Sequence, residues 1–441
     1  MLEFAMKAKK SSARIIPFMI AWVLSTAAAP VAANAQSPWG GPLRVTLPVT
    51  LVDNLDGAMF KVAVPANWNG TLLVYLQGSK TGAAPPEPLL VPPVLPGSGA
   101  SLEQTLLSRG YALAASQVTT TEWQQKAEVQ DSFALTSYFR GRVGESKRTI
   151  LLGTSLGGLA ALRLIEEFPR SYDGAIATCV PAAGNPKRMD RTLDFAVAYE
   201  AVFGWPDAWG AIGDLREGLN FARDVYPIAP LPKPDGSNRG AWEFIRLVNG
   251  LSPDAFWVTD PMQGVPGYLM NLLWTTQQRE MMESWATGPV AQNLDHRYSL
   301  KPEDKAYLAG LGVQADDLLA KMNSRAPIAA CDRCRDFAYR FATVRGVLTK
   351  PVITLHTTND GLAEVSNESA YRAAVEASRC TDFLAQAYVS GAGHCAFTAT
   401  QLLTTLAAME KWLDTGVHPD ASAFPESQGF DNGFVPPPWP Y

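Results

Sequence analysis

The sequence predicts an α/β protein: a mostly parallel sheet with helices on both faces, interrupted by a large, mainly helical insertion. Three observations carry this. Short apolar runs alternate with helix-length segments between 59 and 180. The alternation stops at Pro181 and resumes near Pro351. A glycine-rich turn, Gly153-Thr154-Ser155-Leu156-Gly157-Gly158, separates a short apolar strand from a strong helix.

Taken in order, 59–65 alternates partly, and 71–76 (TLLVYL) is nearly continuous, as a strand buried on both faces should be. Asn67-Trp68-Asn69-Gly70 between them is turn chemistry. Residues 85–99 are rich in Pro and Gly and read as a surface loop. A helix over 102–109 stops near Gly110, 111–116 is a strand, and 123–140 suits a helix. The strand 148–152 leads into Gly153, and the helix 156–168 ends at Pro169. Residues 174–180 form the next strand. From 181 to about 345 the chain is helix-like and loop-rich, without a convincing buried strand. Strand 351–356, helix 365–377, strand 383–389 and helix 396–413 complete the pattern, followed by a tail of irregular coil.

Composition narrows the function. The chain has 441 residues, is 47% hydrophobic and 18% charged, and carries a net charge of −5. That length buries a substantial core, and the charge fraction is too low for a solvating, disordered polypeptide. The acidic balance provides no basic face for phosphates, so no nucleic-acid partner is expected. Four histidines and five cysteines leave little for a multi-metal protein.

The N-terminus reads as a secretory leader. Lys7, Lys9, Lys10 and Arg14 form a basic start, 15–24 is apolar, and Ala33-Asn34-Ala35 precedes Gln36. The competing reading is a membrane anchor, but the apolar run falls short of the roughly 20 residues a span requires. Removing 1–35, which carries those four cations and Glu3, takes the net charge from −5 to −8. Export implies a periplasmic or extracellular setting where disulfides form. The cysteines are Cys179, Cys331, Cys334, Cys380 and Cys395, an odd number. Cys331-Asp332-Arg333-Cys334 reads as a local disulfide in preference to a metal half-site, since no second C-x-x-C or nearby histidine pair accompanies it. Cys380 and Cys395 flank one predicted strand and form a second candidate pair.

The turn at Ser155 has the context a nucleophile elbow needs. Gly153 and Gly157 lack side chains where the turn is tightest, Ser155 projects above the sheet, and the helix behind it supplies backbone donors and positive potential. The competing reading is a tight turn with an ordinary serine. A nucleophilic serine needs a base. Of His296, His356, His394 and His418, only His394 sits in a glycine-flanked loop, Gly391-Ala392-Gly393-His394, between the last strand and the last helix. Asp360, in Asn359-Asp360-Gly361 after a strand, is the expected orienting acid, with Glu364 as substitute. His356, four residues earlier, is a candidate supporting group. Leu156 supplies one oxyanion donor, and the N–H of Gly78 or Ser79, in Gln77-Gly78-Ser79-Lys80, the other. Lys80 is either an attractor for anionic substrate groups or simply a solvated lysine.

These motifs, over about 43–180 and 347–414, make the chain resemble a secreted, esterase- or lipase-like member of the α/β-hydrolase superfamily. Many members carry His-Gly at the oxyanion loop, where this chain has Gln77-Gly78, so the second donor stays open. The resemblance implies core segments over 36–180 and 347–415, a cap over 181–346 that roofs the site, and a tail over 416–441. Trp205, Trp209, Trp242, Trp257, Trp274 and Trp285 all lie in the cap and either line an apolar pocket or form the cap's own core.

The expected function is hydrolysis of carboxylic esters through an acyl-enzyme, with a small-molecule or polymeric ester as substrate, no cofactor and no stable membrane anchor. A serine peptidase or amidase of the same fold and an acyltransferase are the enzymic alternatives. A non-catalytic binding protein has no need of all three of Ser155, Asp360 and His394.

Overall fold

The computed structural model describes residues 43–78, 87–96, 101–117 and 125–440. The predicted leader over 1–35, Ser79, Lys80 and Trp123 lie outside those residues.

An eight-stranded sheet forms the centre. Its strands are β1 (Val49–Leu55), β2 (Ala58–Val64), β3 (Thr71–Leu76), β4 (Ala112–Ser116), β5 (Arg148–Thr154), β6 (Gly174–Thr178), β7 (Val352–Asn359) and β8 (Leu384–Ala392), in the spatial order 1-2-4-3-5-6-7-8. β2 is antiparallel to both β1 and β4, and the pairs from β4 to β8 are all parallel. Every residue of β3, β4 and β6 is buried, which is why these runs read as continuous apolar stretches rather than alternating ones. The expected mostly parallel sheet is therefore present.

Five helices cover the sheet after strands of the core. They are α1 (Leu102–Ser108), α2 (Gln125–Arg142) and α3 (Leu156–Glu167) in the first half, and a helix over Ser366–Ala377 with a final one over Ala399–Thr415 in the second. One apolar cluster joins α2 and α3 to one face, through Phe139, Leu159, Leu162 and Val74. A second joins the final helix to the other face, through Leu402, Met409, Trp412 and Ile353. The final helix starts on a capping box between Thr398 and Gln401.

Between β6 and β7 the chain is helical. Among the described residues its only strands are Gly210–Ala211 and Asp214–Leu215, which pair with each other. This region has its own core around Trp209, Trp242, Phe256 and Tyr199. The Tyr199 ring lies 5.6 Å from Trp209 and 6.1 Å from Trp242. Of the six tryptophans, Trp209 and Trp242 are thus committed to internal packing, while Trp274 faces the cavity described below.

The tail is tied to the sheet edge rather than loose. Phe424 and Phe430 are buried, Ser390 donates its N–H to the Gly429 carbonyl, and Phe430 bridges to Val389.

Two cysteine pairs form, Cys331–Cys334 and Cys179–Cys395. The first matches the local pair expected from spacing. The second takes the place of the candidate Cys380–Cys395 pair, whose connectivity the sequence left open: Cys380 is free, and Cys395 reaches instead to Cys179, the residue just after β6. Cys380 and Cys395 stand at opposite ends of β8, whereas parallel pairing of β6, β7 and β8 brings the ends of β6 and β8 to the same side of the sheet.

Candidate active site

The site stands at the C-terminal edge of the parallel strands, where β3, β5, β7 and β8 all end. Ser155 occupies the turn from β5 to α3 with φ 55° and ψ −122°, a region that costs an L-residue energy. The surrounding glycines allow that turn. A Cβ on Gly153 would stand 2.3 Å from the Gly157 carbonyl oxygen, and one on Gly157 would stand 2.2 Å from that of Leu76. No side chain fits either space.

The histidine loop follows β8. His394 Nε2 lies 2.8 Å from Ser155 Oγ, and His394 Nδ1 lies 2.8 Å from Asp360 Oδ2. His394 is 3% exposed and Asp360 likewise 3%. Asp360 follows β7, and its Oδ1 accepts the N–H groups of Leu362 and Ala363 at 2.8 Å each. These donors hold the carboxylate so that Oδ2 faces the imidazole. The three residues singled out from the sequence thus form one chain of hydrogen bonds. Glu364, the substitute acid, pairs instead with Arg191 at 3.4 Å. His296 bonds Asp194 at 2.8 Å in the insertion. His418 is exposed, with its ring nitrogens on the carbonyls of Pro419 and Leu384.

His356 lies directly behind Asp360. It is fully buried, with Nε2 2.7 Å from the Ala363 carbonyl oxygen and 3.4 Å from Asp360 Oδ2, and Nδ1 3.0 Å from Glu368 Oε1. Burial alone draws its imidazolium pKa down, but hydrogen bonds and charge from Asp360 and Glu368 outweigh burial and lift it to about 10. For Asp360, burial raises the pKa, yet the charges and hydrogen bonds of His394 and His356 hold the carboxyl well below the usual carboxylate range. A buried cation therefore stands between Asp360 and Glu368, and Asp360 is anionic at neutral pH.

Leu156 opens α3, where the first N–H groups have no partner within the helix. Gly78 stands against the serine: a Cβ there would lie 3.0 Å from Ser155 Cβ. Both are thus placed beside Ser155, while Ser79 lies outside the described residues.

The sequence held no signal for the support that the insertion lends to these loops. Asp260 Oδ2 accepts the backbone N–H of His394 at 2.5 Å, while its Oδ1 accepts those of Met262 and Gln263 at 2.8 and 2.9 Å. Pro261 sits so close to Gly393 that a Cβ there would meet its Cδ at 2.7 Å. Ser252 Oγ donates to Asn359 Oδ1, and Asn271 Nδ2 donates to the Gly361 carbonyl, both at 2.9 Å. Gly361 has room only for hydrogen, since a Cβ would fall 2.1 Å from the Ala255 carbonyl oxygen. The acid and histidine loops are therefore clamped by the segment 252–271.

Beside Ser155 lies a cavity of about 210 Å³, walled by Leu89, Pro93, Met262, Met270, Trp274 and Leu362, with Gln77 and Tyr75 at its sheet side. A larger hollow of about 490 Å³ opens elsewhere, between β8 and the tail around Tyr388 and Phe424, and contains none of the three candidate residues. The Ser155 cavity is the one that matters for chemistry there. Cys179, Cys395 and His394 approach one another closely enough to suggest metal ligands, but both sulfurs are spent in a disulfide and offer no thiolate.

Strand order, one reversed strand near an edge, and a strand–serine turn–helix unit at the centre of the sheet decide the fold class. This is the α/β-hydrolase fold. No protein-family model matches the chain. It is 24% identical to an o-phthalyl amidase of Xanthobacter agilis over 414 residues, covering 82% of this chain and 87% of that one. Among solved structures, an esterase from Aspergillus oryzae aligns with a TM-score of 0.39 at 15% identity, over 84% of this chain and 80% of that one. A proline iminopeptidase from Mycobacterium smegmatis aligns with a TM-score of 0.32 at 13% identity, over 83% of this chain and 97% of that one. Among the described residues, no helix of this chain is long and apolar enough to cross a membrane.

Proposed function

We propose that the protein is an exported serine hydrolase that cleaves carboxylic esters through an acyl-enzyme intermediate. The observation that carries this reading is the continuous chain Ser155 Oγ, His394 Nε2, His394 Nδ1, Asp360 Oδ2, with both links at 2.8 Å. In the proposed mechanism Ser155 Oγ bonds to the acyl carbon while its proton passes to His394 Nε2. Asp360 holds the imidazole in the tautomer with a proton on Nδ1 and stabilises the imidazolium. The Leu156 N–H and an N–H from the Gly78–Ser79 loop receive the oxyanion. His394 then protonates the leaving group, and a water deprotonated by His394 releases the acid. No cofactor enters this sequence of steps. The substrate is a small-molecule or polymeric ester, with no nucleic acid and no stable membrane anchor involved. Export is supported by the basic-apolar start of the chain and by the two disulfides.

A second reading, an amidase with the same residues in the same roles, is favoured by the likeness to the o-phthalyl amidase. The two share every step except the leaving group, an amine in place of an alcohol. Turnover of phenyl esters against matched anilides distinguishes them. Ser155→Ala and His394→Ala abolish both activities, while His418→Ala leaves them intact. A fluorophosphonate that labels a serine other than Ser155 overturns the assignment.

A further inference from the structure

Both ring nitrogens of the buried His356 face acceptors. Nε2 meets the Ala363 carbonyl oxygen at 2.7 Å, and a carbonyl only accepts, so Nε2 carries a proton. Nδ1 meets Glu368 Oε1 at 3.0 Å, while Glu368 Oε2 already accepts from Thr354 Oγ1 and Gln386 Nε2. An imidazole between a carbonyl and a carboxylate satisfies both only as the cation. The same Nε2 lies 3.4 Å from Asp360 Oδ2, the oxygen that faces His394 Nδ1 at 2.8 Å. One carboxylate oxygen thus stands between two imidazoles. A Ser-His-Asp chain requires only one of them.

We propose that His356 is a positioning residue that sets the pH range of the reaction: its imidazolium shares Asp360 Oδ2 with His394 and weakens that carboxylate's hold on the proton His394 takes from Ser155. The inference rests on the reading of Ser155, His394 and Asp360 as nucleophile, base and acid. Asp360 alone would stabilise a protonated His394 fully. A second cation on the same oxygen offsets part of that stabilisation, so His394 stays available as a base further into acid and yields its proton more readily to the leaving group. The other charges nearby form a constant background. Arg188 and Arg191 approach from the insertion, Arg188 within the field of Asp360 and Arg191 paired with Glu364. Asp260 holds the His394 backbone, and Arg372 bonds Gln386. Tyr388 stands opposite His356 on β8 and Tyr371 lies within the field of Glu368, both phenols pushed up by burial.

The test follows the rate at which a fluorophosphonate labels Ser155 from about pH 4.5 to 9, which needs the base but no knowledge of the natural ester. In the wild-type protein the rate falls on the acid side as the base is protonated. In His356→Gln that fall is expected to move to higher pH by about one unit, the scale of a unit charge removed from roughly 6 Å away in a partly polar interior. The plateau at higher pH should stay within about threefold of wild type. His356→Gln with Glu368→Gln replaces the ion pair by two amides without changing net charge, and serves if the single variant does not fold. The same direction of shift is expected there, because Glu368 bonds the side of the ring away from Asp360. A residue that acts only by packing lowers the plateau and leaves the acid limb in place. That result, or a limb moved to lower pH, overturns the proposal. Wild-type labelling at another serine, or at none, defeats the nucleophile reading and the proposal with it, an outcome distinct from an unmoved limb.

Discussion

Replacing His356 by Gln removes the cation between Asp360 and Glu368. The magnitude follows from the site. His356 is fully buried, and the two carboxylates hold its proton up to about 10 in the folded protein. In the unfolded chain an imidazole titrates near 6.5. That difference corresponds to about 5 kcal/mol of native stability at low pH. The sign is set by proton binding. Below pH about 6.5 both states hold the proton and the contribution is complete. Between about 6.5 and 10 only the folded state holds it, so stability falls by roughly 1.4 kcal/mol per pH unit. Above about 10 the contribution is gone. Urea unfolding of wild-type and His356→Gln from pH 5.5 to 10.5 measures the gap between the two curves, in which other titrating groups largely cancel. The gap should be widest at the acid end and close steadily toward pH 10. A gap that stays constant from pH 6.5 to 10 would refute the buried imidazolium.

Asp260→Ala strips the His394 N–H and two neighbouring N–H groups of their shared acceptor. Loss of such charge-assisted bonds costs about 2–3 kcal/mol, and displacement of the histidine loop should lower kcat/KM about tenfold to a hundredfold. Unchanged fluorophosphonate labelling of Ser155 in this variant would show that the contact does not position His394. Cys179→Ser with Cys395→Ser opens a cross-link spanning 216 residues, for which chain entropy assigns about 5 kcal/mol as an upper figure. Melting curves should therefore fall far more for this pair than for Cys331→Ser with Cys334→Ser, where the separation is 3. Equal melting temperatures for the two double variants would contradict the loop-length argument.

Much of the core was legible because its signals are local. Continuous burial in 71–76 and 174–178 writes itself into the sequence as unbroken apolar runs. The Gly153–Gly158 turn is legible for the same reason: steric exclusion at Gly153 and Gly157 permits only glycine there. With four histidines, position relative to strands was enough to single out His394, and Asp360 followed from the turn after β7. The Cys179–Cys395 pair was not legible. Its partners are far apart in sequence and meet only because β6, β7 and β8 lie side by side and parallel.

The sequence by itself determined the strand and helix alternation, the serine turn and the three residues that meet there, since each depends on neighbours within a few positions. Only the tertiary structure decided what holds them. Asp260 grips the histidine loop, Ser252 and Asn271 reach the acid loop, and His356 places a proton between two buried carboxylates. Contacts between distant segments depend on how sheet and insertion close on each other, and burial then sets how strongly those contacts act.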